Sequence, residues 1–290
     1  MLYNLDMRED YSTWVQSIFS KYESTPFINP IRTDTAKQLR WLFLELCRGL
    51  EIKNLMEIGA HEASVSIAFL ETSLVPGSRA LAIEANPFTY ELLTQKSMKY
   101  GVEAHNFGLS HSIANLDFFI PVKADSTEVT PGSASFLRRT DENTMYESVT
   151  VPTKTIDLVF ELELIEGPTA LWIDVEGYSL KVIEGAKNRL EGEDIRMVFI
   201  EVENYEYWKE QGSKDQVYEL LQESGFVLLR RDFEYKFQYN YLFIRANELS
   251  NAIKIVNQYD RKFRLLLLKA VIGSPKTLAT KMLKKIRAKL

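Results

Sequence analysis

The sequence predicts an α/β fold, a doubly wound and mostly parallel sheet closed by an antiparallel hairpin. Three observations carry this. Short apolar strands alternate with helices from Asn54 onward, a pattern that builds parallel sheets through right-handed crossovers. Four of the five strands so defined end in a carboxylate at or just past the last apolar position, as the ligand-bearing rim of an open sheet would. The last two strands follow each other without a helix.

The elements follow in order. Residues 8 to 48 read as two helices, the second with Leu39, Leu42, Phe43 and Leu46 at helical spacing after a Thr33 or Asp34 cap. Residues 54–59 (NLMEIG) form a strand, 62–74 a helix, 79–85 (RALAIEA) a strand, and 87–100 a helix with Pro87 in its first turn. Residues 102–109 (VEAHNFGL) read as one strand. The alternation then gives way to an insertion, about residues 115–150, strand-like at both ends and polar around Pro131 and Gly132. A helix (155–164), a strand (169–176), a helix (179–190) and a strand (195–203) restore it. After the helix 214–224, residues 225–232 and 236–245 make the closing hairpin, with Gly225 ending the helix.

The chain has 290 residues, 46% of them hydrophobic, enough for one large domain with additions. We divide it into a helical N-terminal extension (1–50), a main domain (51–246) and a basic helical C-terminal extension (247–290). A net charge of −5 excludes the overall basic face of a nucleic-acid binder. From Arg261 onward there are ten Lys or Arg and no acid, which leaves the other 260 residues at −15. Cys47 is the single cysteine and sits in an apolar pattern, so an internal disulfide is excluded and a buried thiol expected. The N-terminus lacks the basic and apolar regions of a secretory signal, and no run approaches the ~20 apolar residues of a membrane span, so a cytoplasmic location is expected.

The first strand's loop reads Gly59, Ala60, His61, Glu62, Ala63. A dinucleotide site wants three glycines there, and Glu62 would stand close to the phosphates. A cationic, phosphate-free nucleoside suits a place beside Glu57 better, and S-adenosylmethionine (SAM) is such a ligand. Glu84, closing the second strand, stands where an acid accepts both ribose hydroxyls. It could equally be a helix N-terminal acid.

These residues resemble the FkbM-type SAM-dependent methyltransferases. The likeness rests on MEIGAHEASVS (56–66), AIEANP (82–87), PGSASF (131–136) and WIDVEGYSLKVIEGA (172–186), and spans roughly residues 53 to 245. Two positions depart from the family's usual pattern, His61 for Asn and Ala63 for Gly. The resemblance implies a Rossmann-like class I methyltransferase fold and methylation of hydroxyls on sugars, polyketides or related metabolites. It further implies SAM contacts from the first loop (Glu57, Gly59, Ala60, His61, Ser66), from Glu84, Ala85 and Asn86, and from Gly108 and Asp174.

Catalysis would draw on Asp174, which could orient the acceptor hydroxyl, take its proton or offset the sulfonium charge. His61 and His111, both in strand-end loops, are the other candidate bases. Glu176 either faces the acceptor or fixes its own loop, and Glu203 joins it on the acceptor side. Asp174 with Glu203 and Asn204 would also supply oxygen ligands for Mg²⁺, but acids are commonplace where loops and helices begin, so no metal is assigned. The insertion reads as a lid over the acceptor pocket or as a surface hairpin, with Ser133, Ser135 and Arg138 toward the acceptor. Arg138 and Arg139 could take a phosphate or carboxylate on the acceptor. In the tail, Leu278, Met282, Ile286 and Leu290 recur every four residues between lysines. That pattern suits an anionic membrane surface, a partner protein or the acidic body of the same chain.

The expected partners are therefore a small-molecule or glycan acceptor, no nucleic acid, peripheral membrane contact through the tail, and room for a homo-oligomer. The expected function is O-methylation of a sugar or other small hydroxylated metabolite. Its rivals are a catalytically silent binding or scaffold protein and, against the missing glycines, a nicotinamide enzyme.

Overall fold

The computed structural model describes residues 29–122, 131–232 and 237–273. The first of the two expected N-terminal helices and the Leu278–Leu290 stripe lie outside the described residues. Helix α1 (Asn29–Gly49) begins before the expected cap, so Thr33 and Asp34 lie within it.

The main sheet is built from β1 (Asn54–Ile58), β2 (Arg79–Ile83), β3 (Glu103–His105), β7 (Thr169–Ile173), β8 (Ile195–Glu203), β9 (Phe226–Arg231) and β10 (Gln238–Arg245). Its order is β3-β2-β1-β7-β8-β10-β9. The pairs among β3, β2, β1, β7 and β8 are parallel, and β10 lies antiparallel between β8 and β9. This is the Rossmann-like class I arrangement the sequence predicted, with the closing hairpin folded so that its second strand is the inner one. The strand order reverses at β1 and β7, and ligands of open sheets bind above such a point.

Both faces of the sheet are covered. On one lie α4 (Ile156–Leu162), α5 (Ser179–Glu184), α6 (Lys187–Glu191) and α7 (Lys214–Glu223), around Phe160, Leu190, Val198 and Phe243. On the other lie α1, α2 (Ser64–Thr72) and α8 (Leu249–Gly273), around Phe43, Phe69, Trp172 and Phe199. The Trp172 and Phe199 rings stack at 3.6 Å, and Phe43 meets both edge-on. Thus α1 and the start of α8 share the core of the main sheet. Helix α3 (Pro87–Tyr100) covers the β2 and β3 edge.

Two sequence-level elements divide. Residues 102–109 form β3 in the main sheet and β4 (Gly108–Leu109) in a second sheet, ordered β4-β6-β5 with β5 (Ala114–Val122) and β6 (Met145–Lys154). The break falls at Asn106, whose side-chain amide donates to the Glu84 carbonyl at 2.8 Å. The expected helix 179–190 splits at Gly185 into α5 and α6. Here the Asp157 carboxylate accepts from the amides of Asn188 and Arg189 and so starts α6 afresh. Gly185 also admits the Ser110 carbonyl, for a Cβ at this position would lie 2.1 Å from that oxygen.

Gly185→Ala should therefore cost about 1–3 kcal/mol through forced backbone movement. At roughly 2–4 °C per kcal/mol for a chain of this size, calorimetry would read a clear fall in Tm. An unchanged Tm would show that the Ser110 segment gives way freely.

Candidate active site

The loop after β1 is fixed by backbone bonds at the sheet's carboxyl rim. The Gly59 and Ala60 amides donate to the Ile83 carbonyl at 3.0 and 3.1 Å, and the Asp174 amide donates to the Ile58 carbonyl at 3.0 Å. Gly59 has φ +76°, and a Cβ there would lie 1.8 Å from the Asp174 carbonyl, so glycine is required on both counts. His61 and Ala63 also have positive φ, 47° and 54°, where the family's Asn and Gly would sit with less strain.

Glu57 does not reach the ligand space. It is buried, and its two carboxylate oxygens accept from the amides of Val65 (3.2 Å) and Ser66 (2.7 Å) at the start of α2. Burial pushes its pKa up to about 7 against the pull of these bonds. Glu57 thus fills the helix N-terminus that holds the pyrophosphate in dinucleotide-binding folds. The anionic dinucleotide is excluded by this carboxylate as well as by missing glycines. Ser66 and Ala60, expected at the cofactor, are buried and do not line the cavity.

Glu84 occupies the rim above β2. Its Oε2 accepts from the His61 amide and its Oε1 from the Asn86 amide, each at 2.8 Å. A carboxylate offers about four lone pairs, so two remain for a ligand. Burial raises its pKa. Asn86 itself is a helix cap, its Oδ1 accepting from the Phe88 amide at 3.0 Å, and it does not line the ligand space.

A cavity of about 340 Å³ opens here, between the two halves of the sheet and under the smaller one. Gly59, His61, Glu84 and Ala85 line one end, and Asp174, Glu176 and Tyr178 another. Phe107, Leu109, Phe118 and Phe136 supply apolar walls. Gly108 belongs to the wall because Phe136 rests on it, 2.3 Å from where a Cβ would be. Sequence reasoning missed Tyr178, Phe107 and Phe118.

Four carboxylates, Asp174, Glu176, Glu201 and Glu203, gather at the ends of β7 and β8. The register pairs Ile173 with Ile200, which brings Asp174 beside Glu201, a residue not among those expected from the sequence. Burial raises the pKa of Asp174, and a hydrogen bond from Glu201 partly offsets it. Burial and the three neighbouring acids push Glu201 well up, while a hydrogen bond from the Gln238 side chain pulls the other way. Burial and Asp174 lift Glu176 to about 7 against the pull of Arg139. Burial also lifts Glu203 to about 7, against hydrogen bonds from its own amide and that of Gly177. Carboxylate oxygens of Asp174, Glu176 and Glu201 all lie within 4.8 Å of one another, close enough to share a cation. Asn204, expected beside them, instead donates its side-chain amide to the Tyr239 hydroxyl at 3.2 Å.

The insertion closes the cavity through Ala134 and Phe136. The Ser135 hydroxyl donates to the Glu176 carbonyl at 2.7 Å and accepts from the Leu137 amide at 3.1 Å, so it latches the insertion to the β7 loop. Ser133 lies in the short 3₁₀ turn Pro131–Ser133, off the cavity wall. Arg138 stacks over Phe119 at 4.5 Å and Arg139 over Trp208 at 4.9 Å, and neither lines the cavity. His111 is exposed and also stands outside it.

Residues 57–228, more than half of the chain, match the family model described as the methyltransferase FkbM domain. The chain belongs to the FkbM methyltransferase family. Its cofactor is SAM. No curated protein matches this FkbM-family chain in sequence. Among solved structures it is similar to a methyltransferase FkbM from Methylobacillus flagellatus KT, at 13% identity and TM-score 0.42. That match covers 67% of this chain but 44% of the other, so the chain spans less than half of that protein's length. It is also similar to magnesium protoporphyrin IX methyltransferase from Synechocystis PCC 6803 (9% identity, TM-score 0.40, 82% of this chain and 94% of that). A third is an O-methyltransferase from Bacillus cereus (11% identity, TM-score 0.39, 82% and 100%). The FkbM site fits SAM by its own chemistry: a carboxylate with open lone pairs at one end, unbalanced negative charge for a sulfonium at the other, and an occupied phosphate position.

The raised carboxyls set a pH dependence. For Glu57, Glu176 and Glu203 the folded pKa of about 7 lies above the ordinary 4.5, so the folded state binds their protons more tightly. Their stabilisation is full below about 4.5 and is lost as pH rises through 7. The Tm of the ligand-free protein should fall between pH 5 and 8, and less steeply in the Glu176→Gln, Glu203→Gln double variant. Parallel slopes in a thermal-melt series would refute the assignment.

Proposed function

We propose that this chain transfers the methyl group of SAM to a hydroxyl of a sugar, glycan or other small metabolite. The observation that carries the reading is the cavity itself, with Glu84 open at one end and the acid cluster of Asp174 and Glu176 at the other. When bound, SAM supplies an electrophilic methyl group on a positively charged sulfur.

The chain's own residues do the rest. Glu84, held by two backbone amides, accepts the ribose hydroxyls without reorganising. Gly59 lets the loop approach closely, and His61 borders the same end. Asp174 offsets the positive charge and orients the acceptor hydroxyl in line with the methyl group. Glu176, raised to about 7, can donate or accept a second hydrogen bond from a polyhydroxylated acceptor. Phe118 and Phe136 give such an acceptor an apolar face to lie on and keep water out. This pairing of carboxyls with aromatic walls supports a sugar-like acceptor over a purely apolar one.

Incubation of the protein with isotopically labelled SAM and an extract of its source cells, followed by mass spectrometry, tests the reading; a labelled O-methyl product is expected. Glu84→Ala should weaken S-adenosylhomocysteine binding by roughly one to two orders of magnitude, the value of a lost charged hydrogen bond or two. Asp174→Asn should lower turnover far more than it lowers that affinity. Calorimetry showing no saturable binding to the wild-type chain would favour a catalytically silent scaffold.

A further inference from the structure

Ser110, fully buried just past β4, holds its hydroxyl oxygen 2.9 Å from the Tyr178 hydroxyl and 3.2 Å from Nδ1 of His111. Tyr178 lines the cavity, and His111 is exposed to solvent. The three side chains make a continuous hydrogen-bonded path from the cavity wall to water. Its middle member is fixed on both sides. The Ser110 amide donates to the Lys154 carbonyl at 2.9 Å, and its own carbonyl fits against Gly185, where any Cβ would collide. Tyr178 is fixed as well, its ring lying 5.1 Å from that of Phe136.

Methylation of a hydroxyl releases one proton per turnover into the cavity. A proton left among the rim acids must still cross to solvent before the next cycle. We propose that Tyr178, Ser110 and His111 form the proton exit of this enzyme, an inference that rests on the methyl transfer proposed above. As the acceptor oxygen forms its bond to the methyl carbon, the carbon–sulfur bond breaks and its electron pair stays on sulfur. The acceptor's O–H pair stays on the new ether oxygen. Its proton passes to the Tyr178 oxygen, the Tyr178 proton to Ser110 Oγ, and the Ser110 proton to Nδ1 of neutral His111. The exposed imidazolium then releases its Nε2 proton to water, and proton exchange with solvent returns the ring to its Nε2–H tautomer before the next cycle. Tyr178 is the catalytic residue of this path, since it borders the acceptor; Ser110 and His111 act through it.

The path dictates a tautomer. To receive a proton, neutral His111 must carry its hydrogen on Nε2 and accept from Ser110 at Nδ1. Nitrogen-15 NMR of the full chain, saturated with S-adenosylhomocysteine, reads this directly. The chain has three histidines, so His111→Gln assigns the signal. The expected result is an Nε2–H tautomer whose Nδ1 resonance moves in both Ser110→Ala and Tyr178→Phe. A neutral ring carrying its hydrogen on Nδ1, or an Nδ1 resonance indifferent to Tyr178→Phe, overturns the relay. In the labelled-donor reaction with cell extract, His111→Gln should lose about ten-fold in rate, below the range for a direct general base, and imidazole should restore it. Equal rates for wild type and His111→Gln would also overturn it. A wild-type chain that binds no S-adenosylhomocysteine or transfers no label refutes the methyltransferase reading instead, because the tautomer is read without turnover.

Discussion

The rim of the sheet carries more negative charge than its surroundings neutralise, and the site is organised around that imbalance. Asp174 and Glu176 leave β7, Glu201 and Glu203 end β8, and the parallel register sets the two pairs side by side. Arg139 is the cation that lowers Glu176, yet its guanidinium is engaged over Trp208. Four like charges cannot all persist in a buried space, so protons are retained within the cluster. A cationic ligand relieves the repulsion that protons otherwise relieve. Affinity for a sulfonium and elevated carboxyl pKa values are therefore two expressions of one arrangement.

Holding the acids in this state depends on a backbone that leaves little freedom. Gly59 brings the β1 loop against the Asp174 carbonyl, and Gly177 lets Trp208 pack where a Cβ would lie 2.2 Å from its ring. Ser135 ties the insertion to the carbonyl of Glu176, whose own φ is +50°. Each contact converts a residue in an uncommon conformation into a fixed direction for a neighbouring carboxylate. Strain of about 1–2 kcal/mol per left-handed residue is held by the packing around it and recurs at His61, Ala63 and Glu176.

What the sequence disclosed and what it hid divide along the same physical line. Strand and helix positions were legible because burial imposes a period, and β8 and α3 match residue for residue. The places of Glu84 and Asp174 on the cavity wall were legible because strand ends face the ligand side of an open sheet. Glu57 was misplaced, since its carboxylate turns to the α2 amides and away from the rim. Asn86 was misread for a similar reason, a cap and a ligand contact being the same residue type in the same place. Glu201 was passed over because its importance arises only from register, which one strand's sequence does not encode. The wall residues Phe107 and Phe118 come from segments far from the glycine loop and meet it only after the second sheet forms.

The cavity has two halves with different construction. At the donor end, Gly59, Glu84 and the loop amides are locked by backbone hydrogen bonds within the main sheet, so substitutions there disturb the fold and the cofactor together. At the other end part of the wall comes from the insertion, where Phe118, Ala134 and Phe136 pack in a small core that Ala85 also joins. Helices α1 and α8 lie on the opposite face of the sheet and touch neither half. The small sheet and its turn thus supply much of the apolar wall of the cavity, while the main sheet supplies its carboxylates.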